Sequence, residues 1–171
     1  MSLICHILIG CPSSGKSTVA EEITKLYPNC RIVSTDKIRE KLFGDEDIQE
    51  DWELIEAEVL SQIQNHLEAG KSIIYDATNA KRHWRMDFLQ ELQQYKNVQW
   101  IGWYLKTPLE ICQQWNKNRK RQVPDTVIEE LYNSLAEFPP IAAEGFAAVY
   151  EIPYRQGKLD ITKISLKTIK A

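Results

Sequence analysis

The sequence predicts an α/β protein, a three-layer α/β/α fold on a mainly parallel five-stranded sheet. Short apolar runs alternate with amphipathic helices from end to end of the 171 residues. The first run, Leu3–Ile9, is near-continuously apolar, as a strand covered on both faces is. A glycine-rich turn and a helix follow it directly, the opening of a strand–helix–strand crossover.

The elements follow in order. Gly15 to about Leu26 reads as a helix with Val19, Ile23 and Leu26 on one face. Arg31–Thr35 is a second strand, and Lys37–Phe43 a short helix that Gly44 ends. Ile48, Trp52, Ile55, Val59, Ile63 and Leu67 step by threes and fours along a long helix closing at Gly70. Ser72–Asp76 is a third strand. Lys81–Tyr95 is a helix carrying Trp84, Phe88, Leu92 and Tyr95, and Val98–Leu105 is a fourth strand. Thr107-Pro108-Leu109-Glu110 spells a capping box with proline at the first helical position, and the helix it opens ends in the basic stretch NRKRQVP. Thr126 and Glu129 cap a further helix to about Glu137, ahead of Pro139-Pro140. Ala147–Ile152 is a fifth strand, and Ile161, Ile164 and Leu166 suggest an added edge strand in the tail. No repeat, low-complexity segment or linker interrupts the pattern, so residues 1–171 read as one domain.

Composition narrows the function. Hydrophobic residues make up 43% and charged residues 26%, a globular balance, and no apolar run approaches the ~20 residues of a membrane span. The N-terminus carries no basic region ahead of its apolar run, so a cytoplasmic chain is expected. Cys5, Cys11, Cys30 and Cys112 form no C-x-x-C pair, which argues against a zinc site or disulfide framework. With 21 Lys and Arg against 24 Asp and Glu, the net charge is −3. A protein gripping long duplex nucleic acid would be basic, but a small phosphate-bearing acceptor is compatible with this charge.

The turn after the first strand is the most specific signal. Gly10-Cys11-Pro12-Ser13-Ser14-Gly15-Lys16-Ser17, followed by Thr18, fits G-x-x-x-x-G-K-[ST] without a gap. The glycines let backbone N–H groups curl around phosphate oxygens, and the next helix aims its positive end at them. Lys16 reaches the β- and γ-phosphates, and Ser17 offers a hydroxyl to Mg²⁺. These residues predict a nucleoside triphosphate site, with Cys11 a small loop residue.

The acceptor side is read from strand ends. The second strand runs into STDKIR, which sets Asp36 on the same rim as the phosphate loop. A carboxylate there takes the proton of an attacking hydroxyl, and Arg39, three residues on, offers a fork for an anionic group. The plainer alternative is that Asp36 caps its helix and Arg39 is solvated. Asp76 ends the third strand, where it supports Mg²⁺ or the base. Thr78 and Asn79 follow as hydrogen-bonding residues, with Asn79 also a candidate cap. Arg82 and Arg85 share a helix face, either to meet an acceptor phosphate or as a solvated basic stripe. Lys117, Arg119, Lys120 and Arg121 fall in a segment, about 115–124, that suits a lid whose arginine neutralises a transferring phosphoryl group. A basic helix end complementing its dipole is the alternative.

Taken together, GCPSSGKS, STDKIR, YDATN, NRKRQVP and the late EGF at 144–146 resemble the small P-loop kinases of the polynucleotide 5′-hydroxyl kinase type, over about residues 3–152. The resemblance implies a P-loop NTPase fold, ATP and Mg²⁺ as cofactors, and roles residue by residue. Lys16 and Ser17 bind phosphate and magnesium, Asp36 is the general base, and Arg39 contacts the phosphate next to the attacked nucleoside. Asp76 supports the site, with Ser17, at the metal, and Arg119 or Arg121 is the lid arginine. The expected reaction is transfer of the γ-phosphate of ATP to a hydroxyl, with the 5′-hydroxyl of a nucleotide or short oligonucleotide favoured. A kinase of a sugar, sugar acid or antibiotic is the alternative, and an ATPase switch with a protein partner is the alternative of another class. Trp52, Trp84, Trp100, Trp103 and Trp115 can stack on bases, although most fall in core registers where packing explains them first.

Overall fold

The computed structural model describes residues 2–45, 51–162 and 164. Five parallel strands form one sheet in the order β2-β3-β1-β4-β5, with β1 at Leu3–Ile9, β2 at Cys30–Ser34, β3 at Ser72–Asp76, β4 at Val98–Leu105 and β5 at Ala148–Ile152. The helices are α1 (Lys16–Leu26), α2 (Thr35–Phe43), α3 (Trp52–Glu68), α4 (Arg82–Glu91), α5 (Leu109–Lys117) and α6 (Asp125–Glu137). The α/β class and the mainly parallel five-stranded sheet are borne out.

The period-2 pleat of the central strand sorts the core into two layers. Cys5, Ile7 and Ile9 pack with Ile55, Val59 and Ile63 of α3, Leu89 of α4 and Ile128, Leu131 and Leu135 of α6. Leu8 faces the other way, onto Val19, Ala20 and Ile23 of α1 together with Ile164. On that side Trp103 Nε1 donates to His6 Nδ1 at 3.0 Å, and burial pushes the His6 pKa down to about 4.

Several predicted boundaries move for identifiable reasons. The second strand ends at Ser34 rather than Thr35, because Ser34 Oγ accepts from the Lys37 N–H at 3.5 Å and caps α2. Thr107 does not cap α5, since its hydroxyl donates to the Ser14 carbonyl at 2.7 Å, and Pro108 stands at the cap position. Thr126 lies inside α6, which begins one residue earlier behind Pro124 with no side-chain cap. The helix expected to reach Tyr95 tightens to a 3₁₀ turn at Leu92–Gln94. In the tail, Ile161 and Ile164 join the α1 layer instead of adding an edge strand. A small hairpin, β6 (Tyr154–Arg155) with β7 (Lys158–Leu159), precedes them. Ile48 and Leu166 lie outside the described residues. Among the described residues, no helix is long and apolar enough to cross a membrane.

Candidate active site

β2, β3 and β1 lie side by side, with Ser34 opposite Asp76. Their carboxyl ends therefore share one rim, where ligands of open parallel sheets collect. A cleft of about 780 Å³ opens there, lined by the phosphate loop, Asp36, Arg39, Asp76, Arg119 and Arg121.

The loop is held by glycine at both ends. Gly15 caps α1 at φ +98°, and a Cβ there would press to 2.9 Å from Leu159. A Cβ at Gly10 would run into Ser14 Oγ. Lys16 Nζ donates to the Gly10 and Cys11 carbonyls at 3.2 and 2.8 Å. Burial pushes the Lys16 pKa down, opposed first by the Asp76 charge. Ser17 Oγ donates to Asp76 Oδ2 at 3.0 Å. Burial raises the Asp76 pKa, against the pull of Lys16 and the Ser17 hydroxyl. Buried Ser14 Oγ has no hydrogen-bond partner among the described residues. A glycine-bounded cradle with an ammonium at its mouth, beside a hydroxyl–carboxylate pair of hard oxygens, fits a magnesium-bound triphosphate. Lys16→Ala should cost at least ~10²-fold in turnover, about 3 kcal/mol of barrier, with an unchanged circular dichroism spectrum. Wild-type turnover in that variant would remove the loop from the chemistry.

Helix α5 is the floor beneath the loop. Thr107 holds the Ser14 carbonyl, the Cys112 and Cys11 sulfurs lie 3.2 Å apart, and the Trp115 ring comes within 3.4 Å of where a Gly15 Cβ would stand. The Cys11 thiol is thus buried beneath the loop, and all four cysteines are free.

On the acceptor side Asp36 is released from capping by Ser34. Its Oδ1 accepts from Arg39 Nη1 at 3.0 Å and from Arg121 Nη1 at 3.1 Å. Both guanidinium side chains are nearly buried, while the carboxylate stays 41% exposed to the cleft. Buried Arg39 Nε has no hydrogen-bond partner among the described residues. The two arginines expected in a lid part company: Arg121 lies on Asp36, whereas Arg119 Nη1 donates to Ser13 Oγ of the phosphate loop at 3.3 Å.

Other sequence-predicted residues go elsewhere. Arg85 is fully buried, with Nε and Nη2 on the Glu144 carboxylate at 2.6 and 2.7 Å. Its Nη1 takes the Asn79 and Ala80 carbonyls, and Nη2 also takes that of Phe138. Arg82 points to the same Glu144 at 3.8 Å. Neither arginine is among the residues lining the cleft, and Arg85, fully buried, is closed off from an acceptor. A partner 59 residues away gives no local signal, so the pair read as a basic stripe. Asn79 caps no helix: at φ +50° it donates to the Leu8 and Ala77 carbonyls at 2.9 and 3.2 Å. The Thr78 carbonyl accepts from the Gly10 N–H at 3.1 Å, so this turn braces the phosphate loop.

Two tryptophans assigned to packing belong to the cleft. Trp52 and Trp84 line it and remain 47% and 42% exposed, and Phe88, Val127 and Leu131 also line it. Glu56 and Asp87, one turn from these tryptophans on α3 and α4, line it too. The helical spacing of Trp52 and Trp84 matches a core face, and only the tertiary arrangement sets them apart from Trp100 and Trp103, which are buried.

Comparison with known proteins agrees with this architecture. The chain is 32% identical over 130 residues to an L-seryl-tRNA(Sec) kinase of Methanococcus maripaludis, covering 74% of this chain and 50% of that protein. It therefore spans about half the length of that curated relative. The fold is shared with a chain of the Pnkp1/Rnl/Hen1 RNA repair complex, at TM-score 0.71 and 22% identity over 80% of this chain and 45% of that one. It is shared also with the tunicamycin resistance protein of Deinococcus radiodurans, at TM-score 0.64 and 16% identity over 99% and 95% of the two chains. The motif-based resemblance to small P-loop kinases is borne out. A family profile described as an AAA domain matches residues 5–139, from within the first strand to just past the end of α6, and on that match the protein belongs to the AAA_33 family.

Proposed function

We propose that the protein is an ATP- and Mg²⁺-dependent phosphotransferase acting on an acceptor hydroxyl, with the 5′-hydroxyl of a nucleotide or short oligonucleotide as the favoured acceptor. The observation that carries this reading is Asp36, an exposed carboxylate on the rim of the phosphate loop, oriented by two nearly buried arginines. A group so held accepts the proton of a hydroxyl presented to the γ-phosphate. Lys16 would exchange the loop carbonyls for β- and γ-phosphate oxygens, and Ser17 with Asp76 would hold the magnesium, which neutralises phosphate charge when bound. Arg119, which donates to Ser13 of the phosphate loop, would neutralise the transferring group, and Arg39 would meet an anion on the acceptor.

The acceptor wall supports a planar group. Trp52, Trp84 and Phe88 offer stacking surface that a polyhydroxylated sugar acid does not need. With Arg85 buried on Glu144, and Glu56 and Asp87 in the cleft lining, the site favours a short acceptor over a long polyanion. The same acidic lining is the observation in favour of the second reading, a small uncharged hydroxyl compound.

A phosphate-transfer screen over oligonucleotides, nucleotides, sugars and sugar acids, with ATP hydrolysis measured in the absence of acceptor, separates these readings from an ATPase switch. Arg39→Ala should raise KM for a 3′-phosphorylated nucleoside by roughly 10–100-fold, the worth of a charge-assisted hydrogen bond, and leave KM for an unphosphorylated sugar unchanged, while any loss in kcat from a looser Asp36 is common to both acceptors. Phosphorylation of the sugar alone, with its KM unchanged by Arg39→Ala, would replace the nucleotide acceptor with the small molecule.

A further inference from the structure

A buried amide closes the base of the lid. Asn116, in the last turn of α5, is 2% exposed although the residues after it, 117–120, are all exposed. Its Nδ2 donates to the Val123 carbonyl at 2.7 Å, and its Oδ1 accepts from the Val123 N–H at 2.9 Å. One side chain thus satisfies both backbone groups of a residue seven positions later, as a neighbouring strand would, and turns 117–123 into a closed loop. Gln122 Nε2 adds a second tie, to the Lys117 carbonyl at 3.1 Å. The same Asn116 Oδ1 accepts from Ser13 Oγ at 3.4 Å, and Ser13 Oγ accepts from Arg119 at 3.3 Å. A continuous chain of hydrogen bonds therefore runs from the far foot of the lid, through Asn116, to the phosphate loop and back to a lid arginine.

We infer that Asn116 is a positioning residue: it clamps the two feet of the lid together on the phosphate loop and so sets where Arg119 and Arg121 stand. The geometry suits an amide: Val123 presents one donor and one acceptor, and the Asn116 carboxamide answers them with two separate atoms, Oδ1 and Nδ2. A buried polar network of this kind is stiff when fully satisfied and costly when one member is removed. Motion of the lid is thereby confined to the exposed residues between the feet. The consequence for catalysis rests on the phosphotransfer reading, whereas the clamp itself rests on geometry alone.

The loop carries its own probe, because Lys117, Arg119, Lys120 and Arg121 are trypsin sites. In the full-length chain, Asn116→Asp keeps the size and the acceptor but sets a carboxylate against the Val123 carbonyl, and Asn116→Ser removes the reach. Both should be cut within 117–121 at least ~10-fold faster than wild type, since cleavage follows the population of opened loop. Cutting elsewhere and the far-UV spectrum should not change. In the phosphate-transfer assay, kcat and kcat/KM for ATP should fall together by about 10²-fold, as for a misplaced transition-state contact. In an Arg119→Ala, Arg121→Ala background, Asn116→Asp should cost less than about twofold more, because the groups it positions are gone. Unchanged cleavage in both variants overturns the clamp. An equally large loss in the arginine-free background reduces Asn116 to general scaffolding and overturns the positioning role. Faster cleavage in a protein whose wild type phosphorylates no acceptor upholds the clamp and overturns the kinase reading instead.

Discussion

Asp36→Asn should leave ATP affinity near normal while lowering phosphoryl transfer by about 10²–10⁴-fold, the range for removal of a general base. The substitution preserves shape, and the α2 cap is untouched because Ser34 supplies it. What changes is proton affinity and the hold on Arg39 and Arg121, which donate to the same Asp36 oxygen. In the proposed site ATP would contact Lys16 and the loop, across the cleft from Asp36, so its binding constant is the internal control. Two measurements decide the assignment: single-turnover transfer and equilibrium ATP binding in Asp36→Asn and Asp76→Asn. If Asp76→Asn is the crippling change and Asp36→Asn is mild, the base is misassigned, and Asp36 serves chiefly to hold the two arginines.

The largest effect on stability should come from Glu144→Ala. Glu144 and Arg85 are both fully buried side chains joined by two short hydrogen bonds. Removing the carboxylate strands a guanidinium in a dry interior, and breaking such a pair costs about 3–5 kcal/mol. For a chain of this size that is a fall in Tm of roughly 10 °C. The remaining carbonyl partners of Arg85, on Asn79, Ala80 and Phe138, satisfy donors but not charge. Arg85→Met, which removes the charge with its partner still in place, should also destabilise, and the Arg85→Met, Glu144→Leu double variant should recover much of the loss. A loss in Glu144→Ala below about 1 kcal/mol, the worth of an exposed ion pair, would mean that water reaches the pair.

The contrast between these two residues shows what the sequence makes legible. Asp36 was readable because a local pattern sets it: an apolar strand delivers it to a rim, and the rim is defined by the loop after β1. Asp76 is legible for the same reason, as the last residue of its strand, and Lys16 and Ser17 because the glycine-bounded loop after β1 fixes their places. Arg85 carried the same outward cue as Arg39, a basic residue on a helix face, and its burial depends on Glu144 59 residues downstream. Trp52 and Trp84 have core-like spacing, yet α3 and α4 leave them at an open cleft. Thr107 has the sequence of a cap but is drawn to a buried carbonyl of the phosphate loop. Asn116, mid-pattern in a basic stretch, gave no sign of the backbone it would close. Strand order and loop chemistry are local enough to read, whereas pairings across the fold are not.

The distribution of the tryptophans also makes the protein its own instrument. Trp100 and Trp103 are sealed in the two core layers, so their emission reports whether the sheet is assembled. Trp52 and Trp84 line the cleft where the acceptor is proposed to bind, and Trp115 lies against the loop that would receive the triphosphate. Replacing the cleft tryptophans one at a time with phenylalanine would separate an optical signal for nucleotide from one for acceptor. A compound collection could then be titrated against the unlabelled chain, and an occupant of the acceptor wall would be seen by quenching before any reaction for it is known.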